Sequence, residues 1–213
     1  MTPVEKLISI SSEPLAPKPA AMAEVLKHYH LGPELFHMLE CKNGFYAFES
    51  ALHVFPLTSE VGMSLEEWNA DSLWRNAYRD LAEGLLFFAE DVFQDQFCLS
   101  AHGIVRFCAE TGATVFMADS IMGWAKRILD DYLRETAWPL ASKWQADNGP
   151  LPNGKKLMPK VPFFLGGGYS IENLWVGGSV EGMRFKADIA MQTRDLPQGS
   201  AVRINFTRKP TKH

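Results

Sequence analysis

The feature that most constrains the fold is a series of four short apolar or alternating runs between Leu85 and Met117. The runs cover residues 85–90, 96–100, 104–108 and 114–117, and turn residues such as His102 and Gly103 separate them. Each run has the length of a strand, and strands joined by short turns are typical of antiparallel sheets. The pattern therefore predicts an antiparallel meander.

Helical patterns and two further strands precede and follow the meander. Helices are expected over residues 21–29 and from Pro33, and strands over residues 45–48 and 52–55. Ser64 and Glu67 form a capping box, which predicts a helix from Leu65 to Tyr78. A long amphipathic helix is expected from Asp119, because its apolar residues recur at helical spacing: Ile121, Trp124, Ala125, Ile128, Leu129 and Tyr132.

Composition divides the chain into four parts. Residues 1–20 are rich in Pro and Ser and predict a loose N-terminal arm, and residues 21–146 predict the main domain. Residues 147–162 hold four prolines and two glycines, which is typical of a linker. Residues 163–213 predict a basic, β-rich extension with strands over 174–176, 184–192 and 201–207, because residues 184–192 alternate between apolar and polar side chains.

Length and composition exclude several classes of protein. A chain of 213 residues with 46% hydrophobic residues is long enough to bury a core without disulfides or a structural metal. No stretch reaches the roughly 20 apolar residues of a membrane span, and the N-terminus lacks the pattern of a secretion signal. We therefore expect a cytoplasmic protein whose cysteines, Cys41, Cys98 and Cys108, are free thiols.

Charge is distributed unevenly along the chain. Residues 1–150 hold 11 Lys and Arg against 21 Asp and Glu, a net charge of −10, and residues 151–213 hold 10 against 4, a net charge of +6. An acidic main part is unfavourable for binding nucleic acid and favourable for binding a basic protein. The alternative is an acidic surface that only keeps the protein soluble.

Motifs for chemistry are weak. The sequence has no four-ligand zinc spacing, and the glycines at 166–168 lack the lysine and hydroxyl of a phosphate loop. Cys98 or Cys108 with His102 would form a nucleophile and base, but no third orienting group is visible. No catalytic residue, cofactor or metal is therefore expected.

The densest group of acids is Glu90, Asp91 and Asp95. These acids either cap the amides of a hairpin and face water, or form a contact point for a cationic partner. The candidate partner-binding residues are six acids: Glu66, Glu67, Asp71, Glu90, Asp91 and Asp95.

Two segments resemble the SUKH superfamily, which includes the yeast cell-wall assembly regulator and many bacterial immunity proteins. They are residues 35–56 (LFHMLECKNGFYAFESALHVFP) and residues 85–98 (LLFFAEDVFQDQFC). Residues 103–105 and the helix that carries Asp119, Ser120 and Trp124 are similar to the last strands and final helix of that family. The resemblance covers about residues 20–145, and Gln94 stands where the family often has glycine. Residues 163–213 look like an extension found on some bacterial members.

The resemblance implies an α+β fold, with helices packed on a curved antiparallel sheet, and a domain without catalytic activity. It also implies that the protein is a cytosolic immunity protein that neutralises a polymorphic toxin, often a nuclease, by direct binding. The partner expected is therefore a basic toxin protein, and neither nucleic acid nor membrane. The alternative is a non-catalytic regulatory or scaffold module. An enzyme would require a deep pocket where Cys98, His102 or the carboxylates converge with perturbed pKa values.

Overall fold

The computed structural model describes residues 1–59, 62–197 and 199–203. Its main element is a six-stranded antiparallel sheet in which each strand pairs with the next along the chain. The strands are β1 Phe45–Ala47, β2 Leu52–Val54, β3 Leu86–Asp91, β4 Gln96–Ser100, β5 Gly103–Phe107 and β6 Thr114–Ala118. The predicted meander is confirmed.

Helices precede, interrupt and follow this sheet. They are α1 Pro3–Ser9, α2 Gly32–Cys41, α3 Leu65–Trp68, α4 Asn76–Tyr78, α5 Ile121–Asp130, α6 Tyr132–Glu135, α7 Trp138–Asn148 and α8 Ser179–Thr193. A π-helical turn, Asp71–Arg75, lies between α3 and α4, so the helix predicted over residues 65–78 is interrupted. Short 3-10 helices occur at Glu24–His28, Arg79–Ala82, Phe163–Leu165 and Ile171–Asn173.

The core is built around the central strand β3, which is buried along its whole length. Phe88 packs on Trp124 of α5, with ring centroids 5.0 Å apart. Phe87 packs on Trp74 of the π-helical turn, with ring centroids 4.8 Å apart. Because β3 contributes to a core on both sides, its residues 86–89 form a continuous apolar run and not an alternating one. The predicted α+β class, an antiparallel sheet with packed helices, is confirmed.

The loose arm expected over residues 1–20 is wrong. Thr2 and Glu5 form a reciprocal capping box that starts α1, and Leu7 is fully buried in the core. The following segment covers the outer edge of β1: the amides of Ser12 and Leu15 donate to the carbonyls of Tyr46 and Gly44 at 2.7 and 3.0 Å. The buried Leu7 and these backbone hydrogen bonds hold the segment in place, although its content of Pro and Ser is typical of a loose segment.

The linker and the β-rich extension also need correction. Within the expected linker, strand β7 Lys155–Pro159 pairs antiparallel with β8 Leu174–Gly178 to form a second sheet. The strand expected over residues 184–192 is wrong, since these residues belong to α8. Met183, Lys186, Ala187 and Ala190 form the buried stripe of α8 at a spacing of three to four residues, and this periodicity prevails over the alternation. Residues 204–207 of the last expected strand lie outside the described residues.

Within the described ranges, the structure has no helix that combines the length and the apolar character needed to cross a membrane.

Candidate functional site

A concave surface with several charged side chains lies between the turn that joins β3 to β4 and the segment that follows β7. A cavity of about 560 Å³ opens there. Phe93, Phe163, Phe164 and Tyr169 supply its aromatic lining. Its polar lining consists of Asp91, Asp95, Arg106, Cys108, Glu110, Thr111 and Arg134. We refer to it as the charged cavity.

Asp91 shapes the turn between β3 and β4. Its Oδ1 accepts hydrogen bonds from the backbone amides of Phe93 and Asp95, at 2.8 and 2.9 Å. Gln94 then adopts a left-handed conformation, with φ of 70°, which non-glycine residues rarely take. The predicted capping of amides by hairpin acids is confirmed for Asp91.

The Gln94 side chain explains why a residue other than glycine occupies this turn. Its Nε2 donates to the carbonyl of Ser179 at 2.6 Å, and its Oε1 accepts from Lys186 Nζ at 3.2 Å. Helix α8 approaches through Gly182, where a Cβ atom would lie only 2.1 Å from Gln94 Oε1. Gln94 therefore attaches α8 to the turn.

Arg106 neutralises the acids of the charged cavity. Its NH2 group donates to Asp91 Oδ2 at 2.7 Å, its NH1 group donates to Glu135 Oε2 at 3.0 Å, and its Nε lies 3.4 Å from Asp95 Oδ2. Glu135, also buried, accepts a further hydrogen bond from Arg127 Nε at 3.0 Å. Burial lowers the pKa of Arg106, but these carboxylates outweigh that effect and raise it. The arginine remains a cation.

Burial shifts the pKa values of two acids and one thiol of the cavity upward. Burial and the neighbouring Asp95 raise the pKa of Asp91 to about 7, although Arg106 opposes them. Burial also raises the pKa of Glu110 and of the Cys108 thiol. Both oxygens of Asp91 already accept hydrogen bonds from the chain itself.

A second charged cluster lies beside the first. Lys156 Nζ is 3.0 Å from Glu90 Oε1 and donates to the carbonyl of Asp91 at 3.1 Å. His53 Nδ1 is 3.2 Å from the same Glu90 oxygen. Burial raises the pKa of Glu90, but Lys156 and His53 outweigh it and lower the pKa to about 2. Burial lowers the pKa of His53, so Lys156 is the cation that pairs with Glu90.

Further polar contacts join the C-terminal segment to the sheet. Lys186 Nζ donates to the carbonyl of Phe93, and the Glu110 carboxylate accepts from the amides of Phe163 and Phe164 at 3.2 and 2.7 Å. Burial lowers the pKa of Lys186 below its ordinary value, and nearby carboxylates oppose this effect only in part. The acidic turn therefore does contact cations, but they are an arginine and lysines of its own chain.

The structure separates the six predicted partner-binding acids into two groups. Glu90 and Asp91 are wrong as surface contacts, because they are 1% and 2% exposed and their partners are internal. Asp95 is partly exposed and faces the charged cavity. Glu66, Glu67 and Asp71 lie on the surface of α3 and the π-helical turn. The predicted capping box is confirmed, and hydrogen bonds from Ser64 lower the pKa of Glu67.

Sequence reasoning missed the basic residues that complete the site. Arg106 lies on β5 and Lys156 on β7, and no local pattern distinguishes them from exposed basic residues. A signal did exist for Lys186, which occupies the apolar stripe of α8 and interrupts it with a charge. A charge within such a stripe indicates a buried partner.

The arrangement offers little for the nucleophilic chemistry considered above. Cys98 and His102 do not line the charged cavity. Cys98 is fully buried, and burial raises its pKa well above the ordinary value, so it is not a reactive thiolate. Among the described residues, no group of three or more His, Cys, Asp or Glu side chains is placed to hold a metal ion.

The buried Glu90 predicts a pH dependence of stability. Its folded pKa of about 2 lies below its ordinary value, so its contribution is present above about pH 4.5 and is lost as the pH falls toward 2. We expect the difference in the free energy of unfolding between the wild type and Glu90→Gln to shrink by about 3 kcal/mol over this range. Urea unfolding at pH 6 and pH 2.5 measures it, and comparing the two proteins cancels the opposite contribution of Asp91.

Asp80 provides the control for this pH dependence. Its carboxylate is exposed and bonds Arg194, which lowers its pKa to about 2 as well. Because solvent screens this pair, Asp80→Asn should leave most of the acid dependence in place. A difference between the wild type and Glu90→Gln that does not change with pH would contradict the assignment.

Comparison with known proteins bears on the fold alone. The sequence matches no protein-family model and no curated protein. The structure is similar to the crystal structure of Atu4351 from Agrobacterium tumefaciens, with a TM-score of 0.55 and 11% sequence identity. The similarity covers 86% of this chain and 87% of that chain.

Proposed function

We propose that the protein is a cytosolic immunity protein that neutralises a bacterial polymorphic toxin by direct binding, without catalysis of its own. The resemblance over about residues 20–145 supports the proposal, and so does the net charge of −10 over residues 1–150. Many toxins of this kind are nucleases, and an acidic inhibitor matches the basic surface with which a nuclease holds its substrate.

The observation that carries the proposal is how the chain uses its charged residues. The buried carboxylates Glu90, Asp91 and Glu135 pair with Lys156 and Arg106 of the same chain. These groups are not free to activate a substrate. Exposed acids can contact a partner. Of the six predicted partner-binding acids, Glu66, Glu67 and Asp71 are exposed.

The experiment is affinity capture of the tagged protein from cells that also express the product of the neighbouring reading frame. The proposal expects one stoichiometric partner with a toxic domain, held more weakly as the salt concentration rises. Recovery of a housekeeping protein instead would favour the regulatory or scaffold module. Recovery of nothing at low or moderate salt would contradict the immunity proposal.

The exposed acids make a kinetic prediction. Replacing Glu66 and Asp71 with Gln and Asn should slow association with the toxin by about three- to tenfold at low salt and flatten its salt dependence, because charge steers the encounter. Stopped-flow or surface-based kinetics measures both. Like Asp71, which lies 3.9 Å from Arg75, the acids Glu24 and Asp130 each pair with a basic residue of their own helix or turn. The double replacement Glu24→Gln and Asp130→Asn therefore removes the same charge from other elements, and it should have a smaller effect. Equal effects of the two double variants would exclude Glu66 and Asp71 from the interface.

A further inference from the structure

A second concave surface, which shares no lining residue with the charged cavity, lies where α1, α2 and the first turn of α5 meet. It has a volume of about 680 Å³, within the usual range of binding pockets. We refer to it as the N-terminal groove. Its apolar lining comes from all three helices: Val4, Ile8, Pro33, Met38, Ile121 and Met122.

The groove depends on α1, the helix that occupies the expected loose arm. The capping box of Thr2 and Glu5 starts this helix, and Leu7 anchors it in the core. Val4 and Ile8 are four residues apart, so they lie on one face of the helix and both line the groove. Helix α1 therefore forms one wall of the groove.

The carboxylates of the lining are accompanied by two cations beside the groove, the Met1 ammonium group and Lys42, whose Nζ donates to the carbonyl of Ile8 at 2.9 Å. Glu5 on α1 and Glu34 on α2 line the groove, and no Lys or Arg does so among the residues that the structure describes. Glu34 Oε2 accepts from the amide of Ile121 at 2.9 Å, and Glu5 Oε2 accepts from the amide of Thr2 at 2.7 Å and lies 3.8 Å from the Met1 ammonium group. These backbone contacts position both carboxylates, and within the described chain each leaves its Oε1 without a hydrogen-bond donor.

Methionine makes the apolar surface adaptable. Met38 lies at the floor of the groove, and Met122 lies at its rim with 41% of its surface exposed. Methionine side chains adjust their shape to different partners, and they are common at surfaces that bind peptides. An apolar surface between two acidic walls suits apolar side chains that are flanked by cations.

We propose that the N-terminal groove binds a short basic segment of the toxin, inserting apolar side chains between α1 and α5 and placing Lys or Arg beside Glu5 and Glu34. This inference rests on the proposed function for the identity of the partner. Charge complementarity selects a basic segment over an acidic one, in agreement with the acidic character of residues 1–150. The groove then supplies the apolar anchor of the complex.

The first test uses a synthetic amphipathic peptide of leucine and lysine, with a leucine and glutamate peptide as its counterpart. Fluorescence anisotropy should detect binding of the basic peptide only. Met122→Lys places a cation at the rim and should weaken binding at least tenfold. The matched control is Leu133→Lys on α6, at a residue 46% exposed outside the groove, which adds the same charge and should change binding less than twofold.

The second test repeats the two variants with the purified toxin domain from the neighbouring reading frame. The proposal expects the same ranking, with Met122→Lys weakening the complex at least tenfold more than Leu133→Lys. If the toxin binds the wild type and Met122→Lys equally, the groove proposal is overturned while the proposed function stands. If no toxin binds the wild type, the proposed function fails, and the peptide experiment alone decides what the groove binds.

Discussion

Replacing Lys156 with methionine is expected to lower the free energy of unfolding by about 3 to 5 kcal/mol, one of the largest effects of any single substitution in this chain. Lys156 is 2% exposed, and its Nζ lies 3.0 Å from the fully buried carboxylate of Glu90. Methionine has a similar length but no charge, so the variant leaves Glu90 as an uncompensated anion in the core. Urea unfolding at pH 7 measures the loss.

Two further variants test whether charge is the cause. Adding Glu90→Gln to Lys156→Met removes the uncompensated anion, so the double variant should recover much of the stability that the single variant loses. Arg194→Met breaks the exposed pair with Asp80 and should cost much less, because solvent screens that pair. A loss in Lys156→Met no larger than that in Arg194→Met would show that the buried pair does not stabilise the fold.

Ending the chain at Gly149 is expected to abolish cooperative unfolding altogether. The deletion removes Lys156 and Lys186 from the acidic turn, and it removes Met183, Ala187 and Ala190 of α8 from the main core. It also leaves the Glu90 carboxylate buried without its lysine. Such a loss exceeds the stability that a domain of this size usually has.

The matched control ends at Arg203 and so keeps every described residue. We expect it to unfold cooperatively, with a melting temperature close to that of the full chain, as judged by circular dichroism and calorimetry. A fragment of residues 1–149 that melts cooperatively at the temperature of the full chain would show that the C-terminal segment is an independent unit. The polar contacts of Gln94 and Glu110 with that segment predict the opposite.

The sequence predicts the parts of the fold that depend on neighbouring residues. The meander from β3 to β6 follows from short runs and turns, and the helix that carries Trp124 follows from its apolar spacing. Residues 184–192 satisfy both the alternation of a strand and the three-to-four spacing of a helix, so the alternation predicts a strand. Burial against Gln94 and the core decides in favour of helix α8. Local patterns carry no information about that packing.

The site was less predictable, because it joins residues that are distant in the chain. Glu90 meets Lys156 across 66 positions, and Gln94 meets Ser179 across 85. The acidic turn and the opposite net charges of the two parts of the chain were visible, and they suggest an attraction. Sequence alone could not tell that the cation at the turn belongs to the same chain.

The measurement that tests the central claim most directly is the growth of cells that express the toxin from the neighbouring reading frame, with and without this protein. The account predicts that the toxin alone stops growth and that co-expression of the wild type restores it. Met122→Lys should restore it less well at equal protein level. Cells that stop growing equally with and without the wild-type protein would contradict the account.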